Sequence, residues 1–208
     1  MLFDIVSSFV TLFVVLDPIG VALVGGNLTR GMSWELRRSI AWRGTVIAGI
    51  LMIVFGFGGE ALLRALGISL PALRIAGGLL LFLLSIDMVF ARPSGIRNPT
   101  VPEQAEASQR HDIAVFPLAF PLLAGPGALT SIVLLMGRAT DLTHLAIVGA
   151  ALAAVLAVAL VALLGAERVN RLLGVTGANV ISRVLGVILA ALAAQFVLDG
   201  VNGGLRPN

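Results

Sequence analysis

The chain has 208 residues, 58% of them hydrophobic and only 12% charged, with a mean hydropathy of +1.04, values that lie outside the soluble range and describe an integral membrane protein. All fourteen basic residues are Arg and the net charge is only +3, a balance that suits lipid-facing helices with basic loops and not a nucleic-acid surface. With no Cys, and His only at His111 and His144, disulfides, thiolate chemistry and a His-based metal site are excluded.

A hydrocarbon core of about 30 Å takes roughly 20 apolar residues per helix, and on that ruler six spanning helices are expected, near 3–24, 40–59, 71–90, 113–136, 143–165 and 178–199. The opening "MLFDIVSSFV" carries Asp4 and no basic residue, so it reads as a retained first helix and not as a cleaved signal peptide. Within that helix "VVLDPIGVALVGGN" places Asp17 and Pro18 in the middle of the apolar run. A Pro-rich polar stretch, "ARPSGIRNPTVPEQAEASQRHD" (91–112), divides the chain nearly in half. It is expected as a cytoplasmic linker between one three-helix unit (1–90) and a second (113–208). The fourth helix, "FPLAFPLLAGPGALTS", is interrupted by Pro117, Pro121, Pro126 and Gly127. The last two are rich in Gly and Ala, which lets helices pack closely. Long Leu, Ala and Val runs without period-two alternation argue against a membrane barrel.

Orientation follows from Arg. Arg30, Arg37, Arg38, Arg43, Arg92, Arg97, Arg110, Arg168, Arg171 and Arg183 follow the odd-numbered helices, against Arg64, Arg74, Arg138 and Arg206 on the other side. The excess marks the cytoplasmic side, so both termini are expected in the periplasm. Residues 63–89 can also be laid on 170–200, with Arg64 on Arg171, Gly67 on Gly174 and, after one inserted residue, Gly78 on Gly186. At that later offset Pro18 falls on Pro126. Three helices are an odd number, so a second copy enters from the opposite side. The expected fold is therefore an all-α membrane protein of six transmembrane helices in two inverted three-helix repeats, with helices 1 and 4 broken near the midplane.

In hydrocarbon a broken helix leaves backbone N–H and C=O groups unpaired at a cost of several kcal/mol each, and is tolerated only beside protein or a polar cavity. Pro/Gly interruptions at matching positions of two halves point to a transporter's binding site. A helix restarting after Gly125, Pro126 and Gly127 would present free amides and a positive dipole end to a negative group, with Thr130 and Ser131 as further donors. Asp17 has two compatible readings. As an intramembrane carboxylate, costing about 2.5–3.5 kcal/mol on insertion scales, it would meet a coupling cation or an ammonium group. As the residue before Pro18 it would cap the half-helix that follows. The expected substrate-binding set is Asp17, Pro18, Gly20, Gly125, Pro126, Gly127, Thr130 and Ser131. Arg74, Asp87, Arg183 and Asp199 are read as interfacial side chains that snorkel, Asn27 as a cap or rim residue, and Glu60 and Glu167 as starts of loops. No metal or cofactor is expected. The chain has no nucleophile–base pairing and, lacking Lys, no P-loop, so it is read as no enzyme.

The stretches "VVLDPIGVALVGGNLTRGMSWELRRSIA" and "VFPLAFPLLAGPGALTSIVLLM" closely resemble the MarC family of bacterial inner-membrane proteins. Its members carry a first-helix Asp-Pro-hydrophobic-Gly and a fourth-helix P-L-A-x-P-L-L-A-G-P-G-A. The resemblance covers essentially the whole chain. It implies six helices, the bacterial inner membrane and ion-coupled transport, by Na⁺ or H⁺, of small neutral amino acids such as glycine and alanine. Many relatives follow the first motif with Asn and a further Pro, where this chain has Val21 and Ala22. The expected function is thus a multi-pass secondary transporter of small zwitterions. The alternative is a non-transporting membrane scaffold or stress-related component. Its partners would be the lipid bilayer and a small-molecule substrate, with no nucleic acid; a homo-oligomer is compatible with this reading.

Overall fold

The computed structural model describes residues 2–90, 112–138 and 141–205, so the expected linker lies, but for Asp112, outside the described residues. Within them every element is a helix. The N-terminal apolar run forms two, α1 (Leu2–Leu16) and α2 (Pro18–Leu28), because Pro18 has no N–H to continue the ladder and Asp17 turns the backbone at φ 44°. α3 (Trp34–Ala65) starts at Ser33, whose hydroxyl accepts the Leu36 N–H. At 32 residues and about 1.5 Å per residue it outreaches a bilayer core. Its polar ends, with Arg37, Arg38, Glu60 and Arg64, extend past the apolar stretch. α4 (Leu70–Phe90) follows.

The second half is less regular. α5 (Ala114–Leu123) has the wide turns of a π-helix, and Phe116 and Phe120 adopt extended angles inside it. Each stands directly before a proline, Pro117 and Pro121, and the proline ring drives its predecessor away from the helical region. α6 (Pro126–Gly137) restarts at a bend of 58°. α7 (Leu142–Leu164) is capped by Asp141, which accepts the His144 N–H at 2.7 Å. α8 (Ala166–Leu205) departs from helical angles at Gly174, with φ 59° and ψ −176°.

Among the described residues five stretches are long and apolar enough to cross a membrane singly, Phe3–Leu28, Trp34–Ala65, Leu70–Phe90, Leu142–Leu164 and Thr176–Leu205; the bent α5–α6 pair, taken as one span, makes a sixth. The expected spans 71–90 and 143–165 match to within a residue at each end. α3 and α8 run well beyond theirs, and Glu60 and Glu167 lie inside helices instead of at loop starts.

Packing crosses between the halves. α1 and α2 lie on α7, α5 and α6 lie on α3, and α4 packs above all on α8. The fully buried Leu12, Met52, Leu81, Leu118, Ile132 and Leu189 come from α1, α3, α4, α5, α6 and α8, so one core serves the chain. With lipid tails as apolar as Leu, such contacts rest on close van der Waals fit. At the α4–α8 seam a Cβ on Gly78 would stand 2.7 Å from Val197 Cγ2 and 2.8 Å from the Ala193 carbonyl oxygen. One on Gly186 would stand 2.8 Å from Met88 Cβ and 3.0 Å from Val89 N.

Candidate functional site

Asp17 is 2% exposed, and its Oδ1 accepts the Gly20 N–H at 3.0 Å. Its φ of 44° and ψ of 69° lie in the left-handed region, which costs a non-glycine residue about 1–2 kcal/mol and is best tolerated by Asp or Asn bonding locally. Pro18, at the first helical position, brings a preset φ and gives up an N–H that would be orphaned there anyway. Gly20 completes the arrangement, since any Cβ there would overlap the Asp17 carboxylate. Asp17, Pro18 and Gly20 are therefore one cap on α2, the structural half of the double reading of Asp17.

The second break is built differently. Gly125 is extended at φ −71° and ψ 171°, Pro126 opens α6, and no side chain caps that helix. A Cβ on Gly125 would stand 2.5 Å from the Pro121 carbonyl oxygen. The Cα of Gly127 faces Leu81, whose Cδ2 would be 2.5 Å from a Cβ at that position. Thr130 Oγ1 donates to the Pro126 carbonyl oxygen at 2.9 Å, and its methyl group fills the space beside Gly77. Ser131 is fully buried, and its hydroxyl has no hydrogen-bond partner among the described residues. A cavity of about 40 Å³ runs along the break, lined by Val15, Leu80, Leu84, Pro121, Gly125 and Gly127 among others. Pro126 lines it too, whereas Asp17, Pro18 and Gly20 do not. Val15, two residues before Asp17, connects the two breaks.

Arg74, expected to snorkel to the interface, is placed otherwise. Its Nε is buried without a hydrogen-bond partner among the described residues, and it shares a stripe of α4 with the buried Gly77, Gly78, Leu81 and Ser85. That i, i+3, i+4, i+7 spacing was the available signal; position near a helix end outweighed it. Asp199, by contrast, is engaged, its Oδ2 accepting from Arg138 at 2.6 Å and its Oδ1 from Gln195 at 2.6 Å. Among the described residues no group of three or more His, Cys, Asp or Glu could hold a metal ion.

Comparison with known proteins matches residues 2–205 to the MarC family of integral membrane proteins. The chain is 38% identical to a UPF0056 membrane protein of Archaeoglobus fulgidus, over 94% of this chain and 91% of that one. It is 34% identical to the UPF0056 inner membrane protein YhgN of Escherichia coli, over 95% and 96% of the two. With the UPF0056 membrane protein YvbG of Bacillus subtilis it shares 31% identity, over 96% and 94%. No solved structure matches. End-to-end agreement with these relatives, on a bundle of apolar helices interrupted at Asp17-Pro18 and Gly125-Pro126-Gly127, makes this chain a member of the MarC family, a multi-pass integral membrane protein.

Proposed function

We propose that the protein is a secondary transporter of small neutral amino acids, of the glycine and alanine kind, or of similar small zwitterions. It sits in the inner membrane with both termini periplasmic, and a Na⁺ or H⁺ gradient drives it. It is a carrier of solute and not an enzyme, alone or as a homo-oligomer.

The observation that carries this reading is the unequal capping of the two breaks. α2 starts under the carboxylate of its own Asp17. α6 starts in the same Pro-led manner, but its N-cap is Gly125 and no side chain among the described residues makes a capping hydrogen bond there. At the offset that lays Pro18 on Pro126, Asp17 falls on Gly125. Helix N-termini favour anions, so a substrate carboxylate binds at Gly125, Pro126 and Gly127 as Asp17 binds at Gly20. The buried Ser131 hydroxyl, without a partner among the described residues, is a further donor behind the cavity lining, and Thr130, also outside that lining, holds the Pro126 carbonyl oxygen. A cavity of about 40 Å³ has room for only a few waters, which favours the smallest side chains. Asp17 meets the coupling cation or the substrate ammonium group, while Pro18 and Gly20 hold its carboxylate in place.

Packing supports the inverted repeat behind this scheme. The offset that carries Gly78 to Gly186 also carries Val89 to Val197. The close approaches Gly78 to Val197 and Gly186 to Val89 are then reciprocal, as a two-fold axis in the membrane plane would require. The exchange of α1–α2 onto α7 for α5–α6 onto α3 obeys the same rule, with both breaks near the midplane.

Uptake of labelled glycine and alanine into proteoliposomes, with and without Na⁺ and pH gradients, tests the proposal. Accumulation above equilibrium under one gradient, abolished by the matching ionophore, is the expected result. Folded, vesicle-inserted protein that moves neither amino acid under any gradient would replace transport with the scaffold alternative.

A further inference from the structure

Away from both breaks, the end of α2 and the first turns of α8 enclose a cleft of about 540 Å³, lined by Asn27, Arg30, Glu167, Asn170, Arg171 and Asn179. Two glycines make room for it. A Cβ on Gly26 would stand 2.9 Å from Ala166 Cβ and 3.0 Å from Asn170 Nδ2, so its absence lets the Asn170 carboxamide lie against α2. Gly174, at φ 59°, breaks the helical line of α8 at the floor of the cleft, a conformation that would strain any larger residue.

The charges around this space do not cancel. Glu167 is committed to an ion pair with Arg37 of α3. Arg30 and Arg171 make no ion pair among the described residues. The opposite end of the bundle differs, for Arg138 is neutralised there by Asp199 and Asp199 is further held by Gln195. Two uncommitted guanidiniums offer planar, bidentate donors that match an oxyanion. The three carboxamides add carbonyl acceptors that a guanidinium lacks and that an ammonium group requires. The apolar part of the lining is Leu23, Gly26, Gly174 and Ala178, too little to hold an acyl chain.

We propose that this cleft is a binding vestibule for the carboxylate of a small solute arriving from the aqueous phase at the Arg-rich end. Arg30 and Arg171 receive the carboxylate and the carboxamides orient the remainder. The vestibule deepens the transport reading and rests on it only for the choice of probe, L-alanine.

Equilibrium binding of labelled L-alanine to the purified full-length protein is the test, with unfolding midpoints confirming that each variant is folded. Arg30→Gln combined with Arg171→Gln should weaken binding at least tenfold, while Arg168→Gln, outside the lining, should leave it unchanged. Wild-type affinity in the folded double variant, or no binding by the wild-type protein, overturns the proposal. So does phosphatidylglycerol binding in nanodiscs that the double change removes without altering alanine binding, which would make the cleft a lipid-headgroup site. Arginine-dependent binding without uptake would leave the vestibule standing and remove the transport reading. Uptake and binding both insensitive to the two arginines would do the reverse.

Discussion

A carboxylate that is 2% exposed and held at φ 44° serves α2 as a cap, and substitution can separate that service from any charge it carries. Asn caps helices about as well as Asp and shares its tolerance of the left-handed region. Asp17→Asn should therefore unfold within about 1 kcal/mol of wild type in detergent, because the cap survives. Asp17→Ala should lose about 0.5–2 kcal/mol with the cap and about 1–2 kcal/mol more through left-handed strain. In proteoliposomes, Asp17→Asn should abolish ion-coupled accumulation and weaken substrate or cation affinity by about ten- to a hundredfold, the scale of a charge-assisted contact worth roughly 1.5–3 kcal/mol. Wild-type accumulation by this variant would reduce Asp17 to a cap. Gly127 separates in a similar way, since its Cα faces Leu81. Gly127→Ala should cost about 1–3 kcal/mol by overpacking. Adding Leu81→Ala should recover part of that loss, giving a coupling of about 0.5–3 kcal/mol in a double-mutant cycle. Strict additivity would mean that the two residues do not share the contact.

Between elements, the glycines divide by what stands opposite them. Gly78 and Gly186 face backbone across the α4–α8 seam, whereas Gly58, on the exposed side of α3, has nothing within 4 Å. Gly58→Ala should stabilise the protein by up to about 1 kcal/mol, the helix-propensity difference. Gly78→Ala and Gly186→Ala should each destabilise it by about 1–3 kcal/mol and by similar amounts, because backbone cannot rotate out of the way. A harmless Gly78→Ala would show that the seam is looser than its contacts imply. The same contrast explains what the sequence could reveal. α4 and α7 were legible almost to the residue because each is a single apolar run ended by polar or helix-breaking residues. The extensions of α3 and α8 were not, since "WELRRS" and "AERVNR" look like loop by hydropathy yet continue as helix outside the apolar stretch. Asp17-Pro18 and Gly125-Pro126-Gly127 stand where α1 gives way to α2 and α5 to α6. The wide turns of α5 were hidden, because two prolines four residues apart predict a disturbance without specifying its form. The cleft at Arg30 and Arg171 was invisible for another reason: it joins residues far apart in sequence through the angles of Gly174.

For the molecule as a whole, ion pairs mark two ends. Arg37 with Glu167 and Arg43 with Asp112, at 3.1 Å, share one end with Trp34 and Trp42. Arg64 with Glu60, at 3.3 Å, and Arg138 with Asp199, at 2.6 Å, belong to the other. Exposed pairs of this kind are worth about 0–1 kcal/mol each, so they label the ends more than they hold the bundle. The proposed orientation, argued from the excess of Arg, puts the first end in the cytoplasm. A chain without Cys is suited to single-cysteine labelling. Leu142, which is 83% exposed at the start of α7, should as Leu142→Cys react with a membrane-impermeant thiol reagent in intact spheroplasts. Arg38→Cys, at an exposed position near the start of α3, should react only after permeabilisation. A periplasm-active reporter after Asn208 should agree with the first and be active, and one inserted at Ala105 should agree with the second and be silent. The reverse pattern at all four positions would invert the molecule in the membrane and move the cleft at Arg30 and Arg171 to the periplasmic face. Equal labelling of both cysteines in intact cells would instead mean a population inserted both ways, the outcome expected only if the Arg bias were too weak to choose.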